Sequence, residues 1–412
     1  MLFRSQIVSD IALPGVGYLT VGQPLHIHNV LGAVSPGGEL LPDSELVYSP
    51  AASDFDVHEF VALSGGYLSR YVETLDDGSV LSGAAIVQRV ADENSVNPRI
   101  LLALLETQSD WVYGTPPDAD ARDYPIGFRI PGRSGLYDDL TVAAEQLVRG
   151  YYGWRAGTLR ETTALDRGTV RWNPTLNAGS VALLHLSVLL SGSDGWLGAV
   201  IGPAGFAERY PGMFGDAWSR AAAAGPVLPP GGELPLLQLP FGPGENWSLT
   251  AGPHNSWSSG TPRGALDFSP ITGEDPCVVS ARWVTASAPG VIARAQDNVV
   301  ALDLDGDGLE STGWVLLYYH LADVGLIAAG TRVETGQALG HPSCQGGRTT
   351  GVHVHLARKY NGEWLAADGP VPFVLSGWTV VAGERNYMGS LVRGGEVVTA
   401  DASGRRGSTI RR

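Results

Sequence analysis

The sequence predicts a multidomain α and β protein, with a mostly helical N-terminal part followed by an antiparallel β-sheet domain. Three observations carry this. Apolar residues recur at helical spacing across much of residues 54–222. Proline and glycine then crowd together, in Gly225-Pro226 and Pro229-Pro230-Gly231-Gly232, where a helix cannot continue. From Leu236 onward, short β-rich runs alternate with Gly, Asn, Asp and Pro. A chain of 412 residues is also too long for one ordinary core. The expected division is a mixed segment over 1–50, a helical domain over 51–222 and a linker over 223–235. A β domain over 236–388 and a flexible Gly- and Arg-rich tail over 389–412 complete it.

The composition is that of a soluble globular chain, 44% hydrophobic and 17% charged. Net charge is −15 and Lys359 is the only lysine, so no basic patch suggests nucleic acid. No apolar run approaches the length of a membrane span. Arg4 is followed by a stretch interrupted by Asp10, which lacks the secretory pattern. The expectation is a leader carried on a precursor, or export by another route. Cys277 and Cys344 both fall in the β domain, where they either pair or stay as buried thiols.

In the helical domain, Ser82–Val90 and Asn97–Gln108 carry apolar residues at helical spacing. Asn97 is placed as an N-cap ahead of Pro98. Thr141–Val148 and the very apolar Asn177–Leu190 are further helices, and His185 is expected in the core or at its rim. In the β domain, Val278–Ser280, Val291–Ala295, Val299–Leu302, Trp314–Tyr319 and Val352–Leu356 read as strands.

Two pairs of histidines stand two residues apart. His26 and His28 have no further ligands near them and lie among Gly and Pro, so a metal role there is disfavoured. His353 and His355 sit in a β-branched run, so a strand turns both imidazoles to one face. One could bind a metal while the other handles a proton. Upstream stand His254 in Gly252–Trp257, Asp267 in Arg263–Phe268 and His320 in Leu317–Leu321. A zinc hydrolase needs three protein ligands and one open position. His254, Asp267 and one of the pair supply them, leaving His320 and the other for proton transfer and oxyanion stabilisation. Asp303, Asp305 and Asp307 have the spacing of a calcium loop, but Trp314 stands where the loop needs glutamate, so a polar turn is expected.

These four stretches, in this order, resemble the lysostaphin superfamily of zinc metalloendopeptidases, most nearly its β-lytic and staphylolysin-like members. The resemblance covers residues of about 240–385. It implies zinc held by His254, Asp267 and His355, with His320 and His353 assisting catalysis and Tyr319 near the oxyanion. More weakly, Ser95–Ser109 is similar to the catalytic helix of lysozyme-like lytic transglycosylases. The position matching their catalytic glutamate is Gln108, with Glu106 turned to another side. That implies a lysozyme-like domain without transglycosylase activity, with Trp111, Tyr151, Tyr152 and Trp154 as candidate wall-glycan contacts. The function implied is zinc-dependent hydrolysis of peptide cross-links in bacterial peptidoglycan, outside the cell or in its envelope. The alternatives are a catalytically silent wall-binding or scaffold protein that regulates wall hydrolases, and a glycan hydrolase with both domains active.

Overall fold

The computed structural model describes residues 34–412 except 229–233, 274–276 and 348, together with the backbone of Ile7–Val8 paired antiparallel with His26–Ile27. His28 and part of the expected linker lie outside the described residues.

The helical domain begins earlier than expected, at helix Asp43–Leu46, and runs to helix Ala217–Ala224. Leu41, Leu46 and Val47 draw this start into the helical core. Asn97 caps helix Pro98–Ser109 by accepting the Arg99 N–H at 2.9 Å, and Leu101, Leu102, Leu104 and Leu105 are all buried. The helix expected over 141–148 extends over Leu136–Arg155. Its start has no local cap. Glu73, from a distant hairpin, accepts the Leu136 and Tyr137 N–H groups at 2.8 and 3.4 Å.

Helix Ala178–Ile201 packs on Leu136–Arg155 so closely that a Cβ on Gly150 would stand 2.7 Å from Ala182 Cα. Gly192, at φ +77°, breaks its regularity. Its continuation to Phe214 makes one stretch, Ala178–Phe214, long and apolar enough to cross a membrane by length and composition alone. That corrects the expectation that no such run exists. Trp111 and Tyr151 are fully buried and Tyr152 nearly so, while Trp154 donates to the Leu176 carbonyl at 3.0 Å. These rings are core, not a glycan platform. His185 is likewise core: burial, then the Arg149 charge, pulls it down to about 4.

Among the described residues, nine strands form the main β-domain sheet, and every pairing in it is antiparallel. Its centre runs Val299–Asp303, Trp314–Tyr319, Val354–Tyr360, Arg263–Pro270, Asn246–Asn255. Val278–Ser280 is not a strand. It follows Cys277, which is disulfide-bonded to Cys344. The expected flexible tail is also corrected. Gly389–Arg393 and Glu396–Thr399 join a four-stranded sheet, and Thr409–Arg411 pairs with Asn246–Ser248 at the edge of the main sheet. Leu391, Val398 and Ile410 are buried there, and the strands hold because these alternate apolar residues face the core.

Both faces of the sheet are covered. Leu266, Leu316, Tyr318, Val354 and Leu356 face the β domain's own core. Ala265, Val299, Leu317, Ala357 and Trp364 belong instead to the core of the helical domain. Hydrogen bonds cross the same boundary. Ser95 Oγ donates to the Gly362 carbonyl at 2.6 Å, and the Trp364 N–H donates to Tyr152 Oη at 2.8 Å.

Charges are buried at this boundary as well. Glu310 takes Arg294 at 2.6 Å and Lys359 at 2.8 Å, while Asp92 of helix Gly83–Asn94 accepts from Gln88 at 3.0 Å. Burial, then the Glu310 carboxylate, pushes Asp92 up to about 7. A raised pKa means that the docked state keeps its proton to a higher pH than the separated state. The contribution is therefore complete below 3.8 and is lost as pH rises through about 7. Across pH 5 to 8 the wild type should lose about 3 °C more in Tm than Asp92→Asn. Parallel Tm curves for the two proteins would rule this out.

Candidate metal centre

Register builds the site. Val299, Tyr319, His355, Asp267 and Ala251 are cross-strand neighbours in one row over five strands. They share a face, the one on which the helical domain sits. His254 enters from strand Asn246–Asn255 through a run of register shifts, which brings it over Asp267.

His254 Nε2, Asp267 Oδ1 and His355 Nδ1 form a compact triangle. The separations are 3.0 Å between the imidazoles, 3.3 Å from Asp267 to His254 and 3.4 Å from Asp267 to His355. A tetrahedral zinc with bonds of about 2.0–2.1 Å has ligand-to-ligand edges of about 3.3–3.4 Å. The protonation pattern also fits. His254 Nδ1 faces the Gly252 carbonyl at 2.9 Å, and His355 Nε2 faces the Ser256 carbonyl at 3.0 Å. Those nitrogens must donate, which turns both remaining lone pairs toward the carboxylate. Asp267 Oδ1 is buried without a hydrogen-bond partner. Three acceptors facing one another without a donor could hold a cation.

In the metal-free state the rings answer to the carboxylate. Burial would raise Asp267, yet the His254 charge, with His355 and His353, holds it far below its ordinary value. Burial would lower His254, and Asp267 raises it. Tyr387 stacks on His254 with centroids 4.7 Å apart, and its N–H donates to the Pro253 carbonyl at 3.1 Å.

His353 lies beside this triangle rather than in it. Its Nδ1 faces the Gly351 carbonyl at 2.8 Å, and its Nε2 stands 3.8 Å from Asp267 Oδ2. His320 is its neighbour, with centroids 4.5 Å apart. His320 takes φ +66°, unusual for a side-chain-bearing residue, where strand Trp314–Tyr319 ends. The backbone N–H and hydroxyl of Ser343 hold its carbonyl at 2.8 and 2.9 Å. Its Nδ1 faces the Gln345 carbonyl at 2.9 Å, leaving Nε2 free. Burial, then the His353 charge, pulls His320 down to about 4. Tyr319 stacks on His320 and leans on Trp257, with centroids 4.1 and 5.0 Å apart.

All six residues singled out in the sequence thus line one cleft of about 800 Å³. Sequence reasoning missed Trp257, Tyr387 and Glu145 on the same wall. Glu145 comes from the helical domain, and no local pattern could have announced it. The acidic loop Asp303–Asp307 is separate. Asp303 accepts the Asp305 and Gly308 N–H groups at 3.0 and 2.7 Å, as a turn requires.

Residues 39–227 match the family model described as the LasA N-terminal domain. The chain is 29% identical over 349 residues to Protease LasA of Pseudomonas aeruginosa, covering 80% of this chain and 75% of that protein. It is 30% identical over 159 residues to beta-lytic metalloendopeptidase of Achromobacter lyticus, covering 37% of this chain and 40% of that one. Among solved structures, the deep-sea metalloprotease pseudoalterin aligns with TM-score 0.35 and 24% identity, over 44% of this chain and all of that one. The lysostaphin catalytic domain of Staphylococcus simulans aligns with TM-score 0.21 and 20% identity, over 30% of this chain and 89% of that one. By its homology to Protease LasA and the beta-lytic enzymes, the chain is an enzyme of the metallopeptidase class.

Proposed function

We propose that the chain is a zinc-dependent endopeptidase that hydrolyses peptide cross-links of bacterial peptidoglycan, working outside the cell or in its envelope. The carrying observation is the triangle of His254, Asp267 and His355, three acceptors at tetrahedral-edge spacing. Zinc, when bound, supplies Lewis acidity at the scissile carbonyl and an acidified water. The chain's own residues do the rest. His353 and His320 turn ring edges to the cleft to take the proton and return it to the leaving amine. His320 is suited to accept because burial keeps it neutral and its Nε2 is free. The Tyr319 hydroxyl donates to the developing oxyanion.

Wall peptide as substrate is supported by the homology to Protease LasA and to the beta-lytic enzymes. An oxidising compartment is supported by the Cys277–Cys344 disulfide. For the helical domain we propose a lysozyme-like fold without transglycosylase activity. Glu106 is buried, accepts the Val112 and Tyr113 N–H groups at 3.1 Å each and pairs with Arg209 at 3.0 Å, while Gln108 is exposed.

Mass spectrometry of muropeptides after digestion, with and without a chelator, tests the function. Cleaved cross-links that vanish with the chelator are expected. Cleavage insensitive to chelation, or intact cross-links from zinc-loaded protein, would overturn it. The domain division belongs to the same proposal. Limited proteolysis should cut first within residues 223–235, where proline and glycine crowd together in the sequence. First cuts inside both domains would count against it.

A further inference from the structure

Cys344 stands between two residues that hold His320. On one side, the Ser343 N–H and hydroxyl donate to the His320 carbonyl at 2.8 and 2.9 Å. On the other, the Gln345 carbonyl faces His320 Nδ1 at 2.9 Å. Only a protonated Nδ1 can donate to that carbonyl, so the bond fixes the tautomer and leaves Nε2 as the acceptor in the cleft. The same loop seats Tyr319. A Cβ on Gly346 would stand 2.7 Å from Tyr319 Cε2, and one on Gly347 would stand 3.0 Å from the hydroxyl. The backbone therefore lies directly on the ring, at φ +72° and +59°. Ser343 also forms an isolated antiparallel bridge with His353. Residues 343–347 thus touch Tyr319, His320 and His353, the three site residues outside the metal triangle.

The loop itself belongs to no strand. It follows strand Ala338–Gly340 and meets the rest of the β domain through isolated bridges, Leu321 with Pro342 and Ser343 with His353. The Gln345 side chain accepts the Asp323 N–H at 2.9 Å and Asn298 Nδ2 at 3.4 Å. Its covalent anchor is the disulfide, which reaches back 67 positions to Cys277. A cross-link of that kind removes freedom that a few hydrogen bonds at the surface would leave. Cys277 is exposed and Cys344 half-buried, so a reductant can reach the bond. The metal triangle is held by other means. His254 Nδ1 rests on the Gly252 carbonyl, His355 Nε2 rests on the Ser256 carbonyl, and Asp267 pairs with His355 in the sheet.

We propose that the Cys277–Cys344 disulfide is a positioning link for proton transfer: it clamps residues 343–347 so that His320 and Tyr319 face the cleft, and opening it lowers turnover while the metal stays bound. The catalytic use of His320 and Tyr319 rests on the peptidase reading above, whereas the clamp on the two rings rests on geometry alone. The bond thereby makes the site redox-sensitive without touching a metal ligand. A water-soluble phosphine opens it in a balanced step. One S–S bond breaks, two thiols form, and the phosphine is oxidised to its oxide with oxygen and protons supplied by water.

The test compares the zinc-loaded full chain before and after phosphine reduction, with a chain carrying both Cys277→Ser and Cys344→Ser beside them. In the reduced chain kcat should fall about 10- to 100-fold, the scale of a misplaced catalytic group. KM should stay nearly the same, since the loss falls on proton transfer and not on bound substrate. Zinc content should not change. A readout independent of turnover is nitrogen NMR of the chain labelled at histidine, with the His320 signals assigned through His320→Gln. Those signals should show a single Nδ1–H tautomer before reduction, a mixture of tautomers after it, and the single form again on reoxidation. In a fully reduced chain, an unmoved kcat or an unmoved His320 signature overturns the proposal. Loss of zinc or of the fold along with turnover overturns it too, since the bond would then be merely structural. A chain that cuts no peptide in either state sinks the peptidase reading, and the His320 signature alone then decides the clamp.

Discussion

His254→Ala, Asp267→Ala and His355→Ala are each expected to leave the purified chain without zinc and without peptide hydrolysis. Three protein ligands leave no redundancy in a site that keeps its fourth position open. Disturbing a group that merely orients a ligand already costs about 10- to 100-fold in metal affinity, so deleting a ligand should cost more. Asp267→Asn sharpens the experiment. Its amide can donate to the two imidazole lone pairs that converge on this position, at 3.3 and 3.4 Å in the wild type. The variant should therefore fold while losing the metal. Zinc should raise the Tm of the wild type through preferential binding to the folded state and leave that of Asp267→Asn unmoved. Elemental analysis and thermal melts with and without zinc read both effects. Full zinc occupancy in any of the alanine variants would refute the ligand set.

How much of this was legible in the sequence depends on which forces set each feature. The histidines and Asp267 stand out because their residue types are scarce and period two puts His353 and His355 on one face. Local signals placed the helix over Pro98–Ser109, since Asn97 and Pro98 act within one turn. The helix starting at Leu136 was read five residues late because its cap, Glu73, comes from 63 positions away. The segment after Gly389 looked like a fraying tail because glycine and arginine dominate its composition. What orders it is long-range pairing, with Ile410 opposite Trp247. Nor could register be read. That Tyr319, His355 and Asp267 fall in one row is set by strand pairing and not by any local pattern. The seat of the helical domain was hidden for the same reason. Leu317 and Ala357 read as ordinary strand residues, and only the folded chain shows that they complete the other domain's core.

His353→Ala should behave differently from His355→Ala, although the two residues stand side by side in sequence. His355 Nδ1 lies 3.0 Å from His254 Nε2, inside the triangle. The Nε2 of His353 is 3.8 Å from the second carboxylate oxygen, Asp267 Oδ2, and its ring neighbours His320. A nitrogen outside the triangle can move a proton but is not needed to hold the metal. His353→Ala is therefore expected to keep its zinc and its fold while losing turnover by about 10²- to 10⁴-fold, the scale of a lost general acid–base group. His320→Ala should follow the same pattern, since its free Nε2 faces the same cleft and its Nδ1 is fixed on the Gln345 carbonyl. The split should appear in kcat more than in KM, because proton transfer acts in the transition state and not on bound substrate. Zinc content and a wall-lysis assay on His320→Ala, His353→Ala and His355→Ala suffice to read it. If His353→Ala came out metal-free while His355→Ala kept its zinc, the two roles would be exchanged and the ligand triangle would have to be redrawn around His353.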